Sequence, residues 1–299
     1  MSNISKLIQE VITPSIDGQL SGIRTGRFTA SVFGDLLSEP RTLTPAHILD
    51  HGHLLPGTPT TDRGFNALLR KKIDEAGIVL FGDTALGLIA SKAAERITDR
   101  PAPHIATRSM DRGMILEHAA RILLSRYWKP IDTTTFHPYG ENSGGTPDGF
   151  VDKGESTWQV KCPEDPGDLL LFDAQVPDGD FEAMERWNRK HAWQLMVEAV
   201  SAGTKYATIT MFTDRMALHD IEEHVKGEVQ TVMDVVSHKM GEFENRAIWY
   251  MYEGTGFAHI SKRFELTDER KARIDRTLAS AEVECLKMTA GRISQPATP

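Results

Sequence analysis

Residues 145–163 read GTPDGFVDKGESTWQVKCP. Turn-forming Asp152 to Gly154 divides two runs that hold Phe150, Val151, Thr157, Trp158 and Val160, so the stretch folds as two paired strands. Residues two apart on a strand leave the same face, about 6.6 to 7 Å from one another. Gln159 and Lys161 therefore point together, and pairing through the turn brings Asp148 level with the end of the second strand. A carboxylate, an amide and an ammonium group then surround one small volume.

Phosphodiester hydrolysis calls for hard oxygen ligands to Mg²⁺, an activated water and positive charge beside the phosphate. Asp148 offers the ligand, and Lys161 the group that orients or deprotonates the water. A further acid is needed. Glu117 lies on a helix expected from about Met110 to Tyr127, capped by Ser109 and stopped by Pro130. Aimed at the strand ends, it completes an acidic set; turned outward, it pairs with Arg121 at i, i+4 for only about 0.3 to 0.5 kcal/mol. The hairpin taken alone reads as an ordinary turn with a solvated lysine.

Around this centre, TASVFGDLL at 29–37 predicts a short helix with Thr29 at its N-cap, and the Pro-rich stretch 38–62 predicts a long loop. Residues 63–97 read as mostly helical with an interruption near Gly77 to Gly87. A further turn falls at Tyr139 to Gly145, a loop at 163–180, a helix at about 182–202 and a strand at 206–212. Apolar residues recur at helical spacing over Ile221 to Phe243, and again at Ile274, Leu278, Ala281, Cys285 and Met288. Both stripes suit core or subunit packing.

Composition sets the class. The 299 residues are 40% apolar and 25% charged, ordinary for a folded globular chain, and no fixed-period repeat is visible. A single domain over 1–299 is expected, with its core at about 20–255 and a C-terminal helix at about 266–289. A net charge of -8 argues against coating nucleic acid through bulk attraction and leaves room for a local basic channel. The apolar runs are far shorter than the ~20 residues that span a bilayer, so no membrane segment is expected. The opening MSNISKLIQEVITPSIDG lacks the pattern of an export signal, and Cys162 and Cys285 alone make no disulfide scaffold, which points to the cytoplasm. His47, His51 and His53 lack a cysteine to complete a zinc set and read as loop histidines.

Four blocks, in order, resemble the phage lambda exonuclease family, the YqaJ-type viral recombinases among the PD-(D/E)xK nucleases: IRTGRFTAS at 23–31, MDRGMILEHAARIL at 110–123, GTPDGFV with WQVKCP in 145–163, and HAWQLMVEA at 191–199. The resemblance implies an α/β (α+β) fold with a restriction-endonuclease-like core. A central mixed β-sheet would be flanked by helices, with extra N- and C-terminal helices. It also implies a Mg²⁺-dependent enzyme, with Mn²⁺ able to substitute and two ions bound. Such an enzyme digests linear double-stranded DNA from 5′ to 3′ and leaves 3′ overhangs for a single-strand annealing protein, working as a homotrimeric ring in a bacterial host's cytoplasm. By position, Asp148, Glu117, Gln159 and the Val160 carbonyl would hold metal and Lys161 would act on water. Arg24 and Ser31 would hold a 5′ phosphate, with Thr146 and Gln194 beside the substrate.

One position departs from the pattern. The family places glutamate two residues before the lysine, where this chain has Gln159. An amide oxygen can ligate a hard cation but adds no negative charge. Glu155 on the same strand and Glu164 and Asp165 after it are the nearby acids in sequence. Two other readings stay open: a DNA-end-binding recombination protein with a weakened or inactive nuclease centre, and a structure-specific endonuclease.

Overall fold

The structure is a computed structural model, and it describes residues 23–102, 117, 120, 135–163, 165–213 and 258–290. Two sheets organise it. The smaller joins β1 (Phe28–Thr29), β3 (Ser143–Gly145) and β2 (His137–Tyr139) in that spatial order, with β1 parallel and β2 antiparallel to β3. The larger runs β4 (Gly149–Val151), β5 (Ser156–Lys161), β6 (Tyr206–Thr213) and β7 (Ala258–Glu265). Its outer pairs are antiparallel and the central β5–β6 pair is parallel. The parallel pair requires a crossover. That crossover is helical: α5 (Pro166–Gln175), α6 (Phe181–Trp187) and α7 (Arg189–Ala202).

Register decides which side chains meet the helices. Gln159 pairs with Ile209 and Lys161 with Met211, and paired residues share a face. Ile209 and Met211 belong to the main core together with Ala192, Leu195, Met196 and Ala199 of α7, so Gln159 and Lys161 lie on the side of the sheet that α7 covers. The opposite face is polar inside: Trp158 Nε1 donates to Thr210 Oγ1 at 2.8 Å, and the Ser156 and Thr208 hydroxyls lie 2.8 Å apart.

Before the sheets come α1 (Ala30–Leu36), α2 (Pro45–His51), α3 (Arg63–Glu75) and α4 (Asp83–Thr98); α8 (Asp268–Thr289) closes the described chain. Several local expectations change. Thr29 takes the N-cap position of α1, but its side chain does not cap the helix. The expected loop at 38–62 contains α2, started by a Thr44 capping box with Pro45 in its first turn and followed by a short 3-10 turn at Gly52–Leu54. His47 closes that box through Nδ1, which accepts from the Thr44 N–H. The interruption in 63–97 is only 76–82, and Gly87 lies inside α4. The expected loop at 163–180 contains α5, capped by Asp165.

The expected helix at 182–202 is two helices broken at Asn188, whose side chain caps α7 by accepting from the His191 N–H. The turn expected at Tyr139 to Gly145 is shorter, because Ser143–Gly145 is strand. On α8 the stripe faces inward: Ile274, Ala281 and Cys285 are buried, with Leu278 and Met288 packed against the core. Of the helix expected at 110–127, Glu117 and Ala120 are helical and the rest lies outside the described residues, as does the stripe from Ile221 to Phe243. Among the described residues no helix is long and apolar enough to cross a membrane.

Candidate active site

Strand pairing builds the centre of the site. Gly149 stands opposite Trp158, and the Asp148 N–H donates to the Trp158 carbonyl at 2.9 Å. The Asp148 carboxylate accepts from the Val160 N–H at 2.7 Å through Oδ2. It is thereby fixed against the Gln159–Val160 peptide. Asp148 and Gln159 keep only 7% and 4% of their surface exposed, while Lys161 at the strand end is half-buried. The Gln159 Oε1 atom is buried and accepts no hydrogen bond.

Helix α7 brings a group that the sequence reading missed. Glu198 is 1% exposed. Gln194, one turn earlier, donates from Nε2 to Glu198 Oε1 at 2.9 Å, and Glu198 Oε2 has no partner. Burial, followed by the charge of Asp148, pushes the Glu198 carboxyl up to about 8; the Gln194 hydrogen bond and Lys161 pull it down, and Glu117 adds a smaller upward push. Asp148, Lys161 and Glu117 therefore all act on this one carboxyl. The signal lay in HAWQLMVEAV, where an acid stands in an otherwise apolar turn of helix. His191, also on α7, is held down to about 3 by burial first and then by Lys161 and Lys190, so its ring is neutral beside the site.

Glycine permits the close approach. A Cβ on Gly145, at the end of β3, would stand 2.9 Å from Glu198 Cγ and 3.2 Å from the Cβ of Ala30. With glycine there, β3, α1 and α7 converge and Thr146 follows directly. Arg24 donates to Thr146 Oγ1 at 2.7 Å, so the N-terminal block is tied to the hairpin. The tie is braced from α4: Glu95 accepts from the Gly26 N–H at 2.7 Å, and Arg96 Nε donates to the Gly26 carbonyl at 2.8 Å. Gly26 has φ +70, a left-handed turn that glycine favours. Ser31 is exposed in the first turn of α1, its hydroxyl 3.2 Å from that of Thr29.

The structure thus brings Asp148, Gln159, Val160 and Lys161 together, with Gln194 reaching them through Glu198 and Thr146 holding Arg24 nearby. Glu117 acts on the Glu198 carboxyl by charge. Asp165 is engaged elsewhere, accepting from the Gly167 N–H, and Glu155 is exposed outside β5. Glu164 lies outside the described residues. Among the described residues no three carboxylate, imidazole or thiol groups form a ready metal cluster. Even so, an unpartnered amide oxygen beside a buried carboxylate fits a hard divalent cation, since a buried acceptor left unsatisfied costs about 1–3 kcal/mol.

This arrangement, a mixed sheet whose hairpin packs its polar residues against the crossover helix, is a restriction-endonuclease-like α/β fold. Solved structures share it. An alkaline exonuclease (LHK-Exo) from Laribacter hongkongensis is 16% identical over 93% of this chain and 100% of its own, with a TM-score of 0.50, and its complex with dAMP gives the same values. A phage related exonuclease from Haemophilus somnus 129PT is 14% identical over 91% of this chain and 99% of its own, with a TM-score of 0.54. No protein-family model and no curated protein matches the sequence. At these identities the likeness fixes the fold, and the chemistry rests on the residues.

Proposed function

We propose that the chain is a divalent-metal-dependent deoxyribonuclease, a 5′-to-3′ exonuclease on linear double-stranded DNA that leaves 3′ overhangs for phage-type recombination. The observation that carries this reading is the Asp148 carboxylate locked onto the Val160 N–H, between Gln159, whose buried amide oxygen has no partner, and Lys161. That the solved structures sharing the fold are exonucleases supports it.

In this reading Asp148, the Gln159 amide oxygen, the Val160 carbonyl and Glu117 would hold Mg²⁺, or Mn²⁺ in its place. Two divalent ions held there would supply charge neutralisation for the phosphate and a more acidic water. Lys161, as an ammonium, would orient that water and donate hydrogen bonds to the phosphate oxygens as their charge builds. Arg24, positioned through Thr146, would grip the terminal 5′ phosphate with its planar fork, with the Ser31 hydroxyl as a further donor. Gln194 orients the acid below it. A homotrimeric ring around the duplex, a single-strand annealing partner and a bacterial cytoplasmic setting belong to the same proposal.

The test is digestion of 5′-phosphorylated linear duplex with Mg²⁺ or Mn²⁺, beside Lys161→Ala and closed circular DNA. Nucleotides released from linear DNA only, and lost in the variant, support the exonuclease. Cut circles would indicate an endonuclease. A second reading, a DNA-end-binding protein with a weakened centre, is favoured by Gln159, and tight end binding without cleavage would select it.

A further inference from the structure

We propose that Glu198 on α7 is a metal-binding carboxylate of this centre, supplying from a helix the negative charge that β5 lacks at Gln159. The proposal rests on the metal-dependent reading above and names a ligand that reading does not contain.

Three observations carry it. Glu198 is fully enclosed, yet only one of its oxygens is satisfied: Oε1 accepts from Gln194, and Oε2 has no partner. An acid kept for packing alone would have both oxygens hydrogen-bonded, because burying an ionisable group with an unmet acceptor is costly. The second orphaned oxygen of the region, Gln159 Oε1, belongs to the residue standing where a carboxylate is missing. Finally, Glu198 packs tightly against the segment that leads into Asp148, since a Cβ on Gly145 would stand 2.9 Å from Glu198 Cγ, and the charge of Asp148 bears on the Glu198 carboxyl. Two buried carboxylates that act on one another are stabilised by a cation or by a shared proton. Lys161 is half-buried at the strand end and bears on both Glu198 and His191.

Charge arithmetic points the same way. Asp148 with a glutamate at 159 would present two strand carboxylates; Asp148 with Glu198, once a bound cation displaces the Glu198 proton, would present the same two charges, one from the strand and one from the helix. Gln194 then has a defined task as a positioning residue. By donating to Oε1 it fixes the carboxyl and leaves Oε2 as the unpartnered oxygen.

The experiment is isothermal titration of Mn²⁺ into the intact chain without DNA. It compares wild type, Glu198→Gln, Gln159→Glu and the double exchange Gln159→Glu with Glu198→Gln, each first checked for folding by circular dichroism. Glu198→Gln is expected to lose Mn²⁺ affinity by roughly tenfold or more, the size found even for groups one shell out from a metal. The double exchange should recover most of it. Wild-type affinity in Glu198→Gln overturns the proposal, as does a double exchange no better than Glu198→Gln. If Glu198→Gln does not fold, Glu198→Asp replaces it, with weakened Mn²⁺ binding expected and unchanged binding overturning the proposal. The readout separates the two readings. Mn²⁺ affinity that depends on Glu198 in a protein inert on linear duplex would keep this ligand and remove the exonuclease. Digestion that needs Lys161 while Mn²⁺ binding ignores Glu198 would do the reverse.

Discussion

Strand β5 and helix α7 meet at one hollow and carry their polar groups there by different rules. On β5, alternation places Gln159 and Lys161 on one face, and pairing with β4 delivers Asp148 to the same spot. On α7, from Ala192 to Val200 only Gln194 escapes burial, so the helix is enclosed nearly all round and Glu198 sits among apolar neighbours. The strand site is set by register and the helix site by packing. A polar residue on a strand face announces itself through its period, whereas a polar residue inside an enclosed helix shows only as a solitary interruption.

The largest effect should come from the strand side. Lys161→Ala and Asp148→Asn are expected to lower cleavage of linear duplex by about 10²–10³-fold or more, the cost of removing one group that stabilises the transition state, while leaving the fold intact. Residual cleavage near wild type in either would detach the hairpin from the chemistry. Next is the rim. Arg24→Ala should lose about 10–100-fold in preference for 5′-phosphorylated over 5′-hydroxyl ends, the worth of one or two charge-assisted hydrogen bonds. Equal use of both ends by wild type would move the phosphate pocket elsewhere.

The contact between the two regions is probed by Gly145→Ala. A methyl 2.9 Å from Glu198 Cγ must push the helix or the strand, so about 1–3 kcal/mol of stability should be lost in chemical denaturation, and cleavage should fall with it. An unchanged midpoint would mean that β3 and α7 do not depend on this approach. The smallest effect is read by pH. Glu198 ionises at 4.5 in an ordinary environment and at about 8 in the fold, so between those values the folded protein holds a proton that the unfolded chain releases. The metal-free protein should therefore lose stability as pH rises through that window. Glu198→Gln cannot ionise, and thermal scans from pH 5 to 8 should show the slope flattened.

Much of this was readable beforehand where local chemistry is strongly directional. The Asp152 to Gly154 turn, the shared face of Gln159 and Lys161 and the level of Asp148 followed from strand period. The stripe on α8 followed from helical period. Two helices hid in apparent loops for one reason: Pro45 and Pro166 were read as breakers, yet each opens a helix behind Thr44 or Asp165, where the missing N–H costs nothing. Asn188 was hidden inside a continuous helical pattern because a capping side chain resembles any polar surface residue. Glu198 was legible only as an acid in an apolar turn, and its meaning needed the position of Gly145 and Asp148 in space. The brace of Glu95 and Arg96 on Gly26 joins residues about seventy apart, which no local pattern reveals.

The most direct measurement is a crystal structure of the intact chain grown with Mn²⁺ and imaged by its anomalous scattering. The account predicts an ion between the Asp148 carboxylate, Gln159 Oε1 and Glu198 Oε2. Strong Mn²⁺ density elsewhere, with Asp148 and Glu198 sharing a proton and no ion between them, would contradict it.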